Sequence, residues 1–146
     1  MSSNIENFLT ASEEEAIVST IRNAEKDTSG EIRVHIEHNC DTDVYEHAME
    51  VFHYLKMDNT KEQNGVLIYV AVDKKAFVIY GDKGINESVS TDFWNSTRDI
   101  IATYFQKGEF AQGLIEGIKK AGKEMSKNFP WIHGDTDELD NTISKG

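Results

Sequence analysis

The sequence predicts an α/β fold: a three-layer αβα sandwich with a central mixed sheet of about four strands and helices on both faces. Three observations carry it. Val66-Leu67-Ile68-Tyr69-Val70-Ala71-Val72 is an unbroken apolar run, Ile32, Val34 and Ile36 alternate with polar neighbours, and the remaining apolar residues recur at helical spacing. An uninterrupted run is what a strand covered on both faces requires, so it belongs at the middle of the sheet.

The first helix is announced by Thr10 and Ser12 ahead of Glu13, Glu14 and Glu15, which combine capping with negative charge at the positive helix end. Its stripe is Ile17, Val18, Ile21 and Ala24, and it stops before Asp27-Thr28-Ser29-Gly30. In the next strand Ile32, Val34 and Ile36 alternate with Glu31, Arg33, His35 and Glu37, giving one buried and one polar face. Asp41 or Asp43 caps a second helix marked by Val44, Ala48, Val51, Phe52 and Leu55.

A polar loop from Met57 to Asn64 leads into the central strand, and Asp73-Lys74-Lys75 turns it back as Ala76-Phe77-Val78-Ile79-Tyr80, an antiparallel partner. Gly81-Asp82-Lys83-Gly84 breaks that strand, and a polar stretch follows to Thr91. The next helix gathers Phe93, Trp94, Thr97, Ile100, Ile101, Tyr104 and Phe105 on one face. The last carries Phe110, Leu114, Ile118, Ala121 and Met125 and closes before Pro130. Its Gly113 and Gly117 weaken the helix, which implies close approach to the sheet or another helix. The chain thus divides into a domain over residues 1–130 and an acidic tail, 131–146, expected to be mobile because it has little to bury.

At 146 residues the chain has the size of one domain with a core that needs no staples. Its single cysteine, Cys40, excludes an internal disulfide, and no Cys/His pair has zinc-finger spacing. No basic and apolar leader opens the chain and no apolar run has membrane-span length, so the expectation is a cytoplasmic protein without membrane contact. Twenty-six acidic against 15 basic residues give a net charge of −11, which repels nucleic-acid backbones and excludes them as partners. The same charge attracts divalent cations wherever carboxylates converge. A monomer is expected, with any protein partner unidentified.

Several segments then fall into a familiar order: Phe8-Leu9-Thr10 with its glutamate-rich helix, Ser29-Gly30-Glu31-Ile32-Arg33-Val34, Asn64-Gly65-Val66-Leu67-Ile68, Val78-Ile79-Tyr80-Gly81-Asp82-Lys83-Gly84, and Phe105-Gln106-Lys107-Gly108-Glu109-Phe110. Over residues 6–126 the chain resembles the TPM domain family, whose members include proteins described as acid phosphatases, metal binders and repair factors. The resemblance implies a stand-alone TPM-like domain. Where the family usually reads Gly-Tyr-Gly-Leu-Glu-Gly, this chain has Ile79-Tyr80-Gly81-Asp82-Lys83-Gly84, with a carboxylate and an amine at the place where chemistry is expected.

Topology gathers the polar groups. If the first strand runs parallel to the central one, Glu31 and Asn64 share one end of the sheet, and the antiparallel third strand finishes there too. The loop from Lys83 to Asp92 then meets the loop from Asp58 to Glu62. The expected metal set is Glu31, Asp58, Glu62, Asp82, Glu87 and Asp92, with Asn64 and Lys83 as further ligand-binding residues. All are oxygen donors save Lys83, so calcium or magnesium is expected rather than zinc.

Other motifs fail. Residues 82–93 are not an EF-hand, because Glu87 takes the glycine position and Phe93 that of the bidentate glutamate. His47 and His53 do not form a zinc-protease pair, His35 and His38 point to opposite faces of a strand, and the histidines read as surface or packing residues. Cys40 lacks a basic neighbour, and Gly81 to Gly84 lack phosphate-loop spacing. The leading function is a metal-dependent regulatory or binding module. The alternatives are a metal-dependent acid phosphatase acting on phosphomonoesters, with Lys83 on a phosphate oxygen and no catalytic residue identified, and a structural interaction domain using Trp131 and the tail.

Overall fold

A reciprocal cap starts the first helix. The Glu13 backbone N–H donates to Thr10 Oγ1 at 3.1 Å, while the Thr10 N–H donates to the Glu13 carboxylate at 2.8 Å. A computed structural model describes residues 8–89, 91–131 and 143–145, with only the backbone of Thr91. Helix α1 is Ala11–Glu25, followed by β1 (Glu31–Glu37), α2 (Val44–Tyr54), β2 (Gly65–Ala71) and β3 (Ala76–Gly81). Then come α3 (Lys83–Ser88), α4 (Thr91–Gln106), α5 (Phe110–Asn128) and β4 (Ser144–Lys145). Asp43 caps α2 by accepting from the Glu46 N–H at 3.0 Å.

The sheet has four strands in the order β3-β2-β1-β4, with β1 parallel to β2 and β3 antiparallel to it. Even-numbered Ile32, Val34, Ile36, Val66, Ile68 and Val70 join residues of α1, α4 and α5 in the larger core. Odd-numbered Leu67, Tyr69 and Ala71 pack with Ala48, Val51 and Phe52 of α2 on the opposite face. The three layers are therefore α1/α4/α5, sheet and α2. Gly117 explains its own presence: a Cβ there would meet the Ile101 side chain at 2.5 Å, so α5 and α4 approach closely.

Three features depart from expectation. The polar stretch after β3 contains α3, because Asp82 caps it by accepting from the Lys83 N–H at 2.8 Å and Ile85 is wholly buried beneath it. The end of the segment read as a tail with little to bury forms β4. An open strand edge presents unpaired N–H and C=O groups, and a tethered extended segment satisfies them. Finally, the polar face of β1 is not solvated: Glu31 is 2% and His35 5% exposed. Leu139 and the acidic stretch around it lie outside the described residues.

Candidate functional site

The sheet end where β1 and β2 begin is organised around Gly65. Glu31 stands opposite Gly65 in the β1–β2 register, and the Asp82 N–H donates to the Gly65 carbonyl at 2.9 Å. Gly65 therefore lies between Glu31 and Asp82, whose backbones are two strand spacings, about 10 Å, apart. The neighbouring loop is tied in by Asn64, whose N–H donates to Thr60 Oγ1 and whose carbonyl accepts from the Glu31 N–H, both at 3.2 Å. At Gly84 a Cβ would collide with the carbonyl oxygens of Glu62 and Gln63, so the head of α3 rests against this loop.

The side chains make the end unusual. Asn64, 1% exposed, donates through Nδ2 to Ser29 Oγ and to Glu62 Oε2, each at 3.2 Å, and the Ser29 hydroxyl donates to the same carboxylate oxygen at 2.9 Å. A carboxylate only accepts, which fixes the amide orientation and leaves Asn64 Oδ1 as a buried acceptor. Among the described residues Asn64 Oδ1 and Asp82 Oδ2 are buried oxygens without a hydrogen-bond donor. Each such group costs about 1–3 kcal/mol when left unsatisfied.

The sequence-predicted residues divide here. Glu31, Glu62, Asn64 and Asp82 come to one sheet end. Asp58 instead pairs with His53 Nδ1 at 3.2 Å, and Lys83, Glu87 and Asp92 are exposed on α3 and α4. Among the described residues no three acidic, histidine or cysteine side chains group as a metal-ligand set.

The opposite end of the parallel pair holds a network that sequence reasoning missed. Tyr69 Oη donates to Glu37 Oε2 at 2.6 Å, His47 Nε2 lies 2.7 Å from that same oxygen, and His35 Nε2 is 3.2 Å from Glu37 Oε1. His35 Nδ1 is 2.9 Å from Ser144 Oγ, and its ring stacks on Tyr69 with centroids 5.8 Å apart. Burial lowers the His35 pKa, only partly opposed by Glu37, so the ring favours its neutral form. Burial alone would raise the Glu37 pKa, but hydrogen bonds from Tyr69 and His35 and the charge of His47 bring it below the usual value. Burial, then Glu37, pushes the Tyr69 phenol far up.

These groups satisfy one another. Cys40 nearby is buried and donates its thiol to the Thr42 carbonyl at 3.3 Å. The available sequence signal was His35 and Glu37 two apart on one strand face, a spacing that presents both to a common partner. His47 and Tyr69, from α2 and β2, gave no sign that they complete it.

Residues 3–124 match the family described as the TPM domain. The BA42 protein from the psychrophilic bacterium Bizionia argentinensis, solved by NMR, is 65% identical, with a TM-score of 0.93 over 99% of this chain and 100% of that one. The N-terminal domain of the cg2496 protein from Corynebacterium glutamicum is 11% identical with a TM-score of 0.64, covering 79% of this chain and 72% of that one. An N-terminal domain from P. gingivalis is 17% identical with a TM-score of 0.67, covering 84% and 79% respectively. The last two show likeness of fold alone. No curated protein matches the chain. No helix among the described residues is long and apolar enough to cross a membrane.

Proposed function

The chain belongs to the TPM domain family, and from that premise we propose that it is a divalent-cation-binding module whose site is the sheet end around Gly65. The observation that carries the reading is the pair of buried acceptor oxygens, Asn64 Oδ1 and Asp82 Oδ2, that meet no donor among the described residues. Glu31 and Glu62 add carboxylates at the same end. A cation supplies the positive partner such oxygens lack, and an all-oxygen set mixing amide, carboxylate and water favours calcium or magnesium over zinc.

Binding there would tie the Thr60–Asn64 segment to the head of α3, which supports a regulatory role through the order of these two loops. Asp58, Glu87 and Asp92 fall outside this set. The phosphatase alternative gains nothing from the geometry, since Lys83 is exposed at the first position of α3.

The test is a titration of calcium and of magnesium into metal-free protein, read by amide shifts and melting temperature, against potassium at matched ionic strength. A bound ion at a hundredfold excess over its dissociation constant stabilises by about 2.7 kcal/mol, with shifts at Gly30–Ile32, Thr60–Val66 and Gly81–Gly84. Asp82→Asn keeps a good helix cap while removing a charge, and should weaken binding about tenfold or more. Stabilisation no greater than potassium gives, or unchanged binding by Asp82→Asn, rejects the site. Phosphate-ester turnover in the same sample would restore the enzymatic reading.

A further inference from the structure

The turn between α1 and β1, residues 27–30, joins two parts of the molecule that are far apart in sequence. On one side it is sewn to the exit of α5. The Ser29 N–H donates to the Phe129 carbonyl at 2.9 Å, the Thr28 hydroxyl donates to the same oxygen, and the Trp131 N–H donates to the Asp27 carbonyl at 3.3 Å. Thr28 is 1% exposed, and its Oγ1 also accepts from the Gly30 N–H at 3.1 Å, so one hydroxyl shapes the turn and fixes it to α5. Gly30 completes the fit, because a Cβ there would run into the Met125 side chain.

On its other side the turn reaches the sheet end around Gly65. Ser29 Oγ has a single proton, which goes to Glu62 Oε2 at 2.9 Å, so toward Asn64 Nδ2, 3.2 Å away, it acts as an acceptor. Ser29 and Glu62 together draw the Asn64 NH₂ group to themselves and leave Oδ1 as the buried oxygen that meets no donor among the described residues. If Ser29 withdraws, the amide is free to turn over, and N–H donors then face a cation in place of an oxygen. The two states of the α5 exit, docked and released, therefore differ in cation affinity, which is the condition for one to regulate the other.

We infer that the exit of α5 regulates the proposed cation site through Ser29: docking of residues 129–131 on residues 27–29 seats the Ser29 hydroxyl, which keeps Asn64 Oδ1 available to the ion. This rests on the cation reading given above. Thr28 and Ser29 are positioning residues, acting on the ion through Asn64. Coupling between two equilibria is reciprocal, so an ion that selects this amide orientation also fastens the α5 exit.

The experiment titrates calcium and magnesium chloride into metal-free, full-length wild type, Thr28→Val, Thr28→Ser and Ser29→Ala, with potassium chloride at matched ionic strength as the control. Thr28→Val keeps the buried volume but loosens the α5 exit, Thr28→Ser restores the hydroxyl, and Ser29→Ala, at a half-buried position, leaves the Thr28 bonds and cuts the relay. In the wild type the amides of Ser29 and Trp131 should shift with the same midpoint as those of Gly65 and Asp82, and the Trp131 amide should exchange more slowly with the ion bound. Affinity should fall about fivefold or more in Thr28→Val and in Ser29→Ala and recover in Thr28→Ser, and in Ser29→Ala the Trp131 amide should no longer respond to the ion. Wild-type affinity in Thr28→Val or Ser29→Ala, or an undiminished Trp131 response in Ser29→Ala, overturns the relay and leaves the cation site standing. An equal loss in Thr28→Val and Thr28→Ser assigns the effect to disturbed packing and also overturns it. No saturable shift with either ion in the wild type rejects the site itself and the relay with it. Where melting shows Thr28→Val to be unfolded, the wild-type shifts and Ser29→Ala decide the outcome.

Discussion

Alternate residues of β1 and β2 face two different environments. Ile32, Val34, Ile36, Val66, Ile68 and Val70 enter a core shared with α1, α4 and α5, whereas the other face sets Glu31, His35 and Glu37 of β1 beside Leu67 and Tyr69 of β2. Both faces are buried over much of their area, but by opposite means. The first takes only apolar side chains from the two strands. The second accepts polar groups and around Glu37 satisfies them with partners from distant chain segments, so its stability depends on geometry and on pH as well as on area.

The largest effect separating the two should come from Ile68→Asp. Ile68 is wholly buried on the apolar face, and an unpaired charge there costs several kcal/mol, on the order of the whole stability margin. Loss of the cooperative melting transition is the expected result. A well-folded Ile68→Asp protein would contradict the central placement of β2.

On the polar face the comparable change is milder. Tyr69→Phe keeps the buried ring but deletes the hydroxyl that donates to Glu37 at 2.6 Å. Hydrogen bonds to charged groups contribute about 1.5–3 kcal/mol, so the urea midpoint should fall by an equivalent amount while the fold survives. An unchanged midpoint would show that His47 and His35 hold Glu37 without Tyr69.

Acid should act on the polar face through His35 and Glu37. Because the folded pKa of His35 lies below 6.5, the unfolded chain binds more protons as pH falls past that value, and stability decreases until the folded value is also passed. Glu37, held below 4.5, adds a second loss as pH drops through that region. The groups facing His35 are Glu37, Arg33, His47, Tyr69 and Ser144. Urea midpoints between pH 7.5 and about 3 should trace both losses, and His35→Gln should flatten the upper one; identical curves for parent and variant would exclude His35 as its source.

Legibility followed the same division. Apolar alternation exposed one face of β1, the run after Gly65 exposed both faces of β2, and helical spacing located α1, α2, α4 and α5, because these patterns are local. The convergence of Glu31, Asn64 and Asp82 was legible from topology alone, since a parallel crossover fixes which strand ends meet. The scatter of Asp58, Glu87 and Asp92 was not, as loop side chains choose among nearby partners such as His53. Of the network at Glu37 the sequence showed only His35 and Glu37 two apart on β1, because the other members come from α2, β2 and β4. Helix α3 was hidden by its brevity, with Ile85 its one wholly buried residue.

The smallest expected effect concerns β4, which borders both faces. Deleting residues 143–146 removes a half-buried Ile143, the Ser144 contact to His35 and an ion pair whose side chains are 31% and 25% exposed. Burying a whole Ile contributes about 1.5–3 kcal/mol, so part of that is lost. A surface pair adds about 0–1 kcal/mol, while release of the segment returns about 1–2 kcal/mol of backbone entropy per residue. These contributions nearly cancel, and the melting temperature should drop by no more than roughly 2–4 °C, the equivalent of about 1 kcal/mol for a domain of this length. Hydrogen exchange is the sharper readout, because the backbone groups of His35 and Ile36 that face β4 lose their cover whatever the global balance. Unchanged exchange along Glu31–Glu37 would show that β4 is not seated there, and a loss of several kcal/mol would make the C-terminus part of the core instead of a detachable edge.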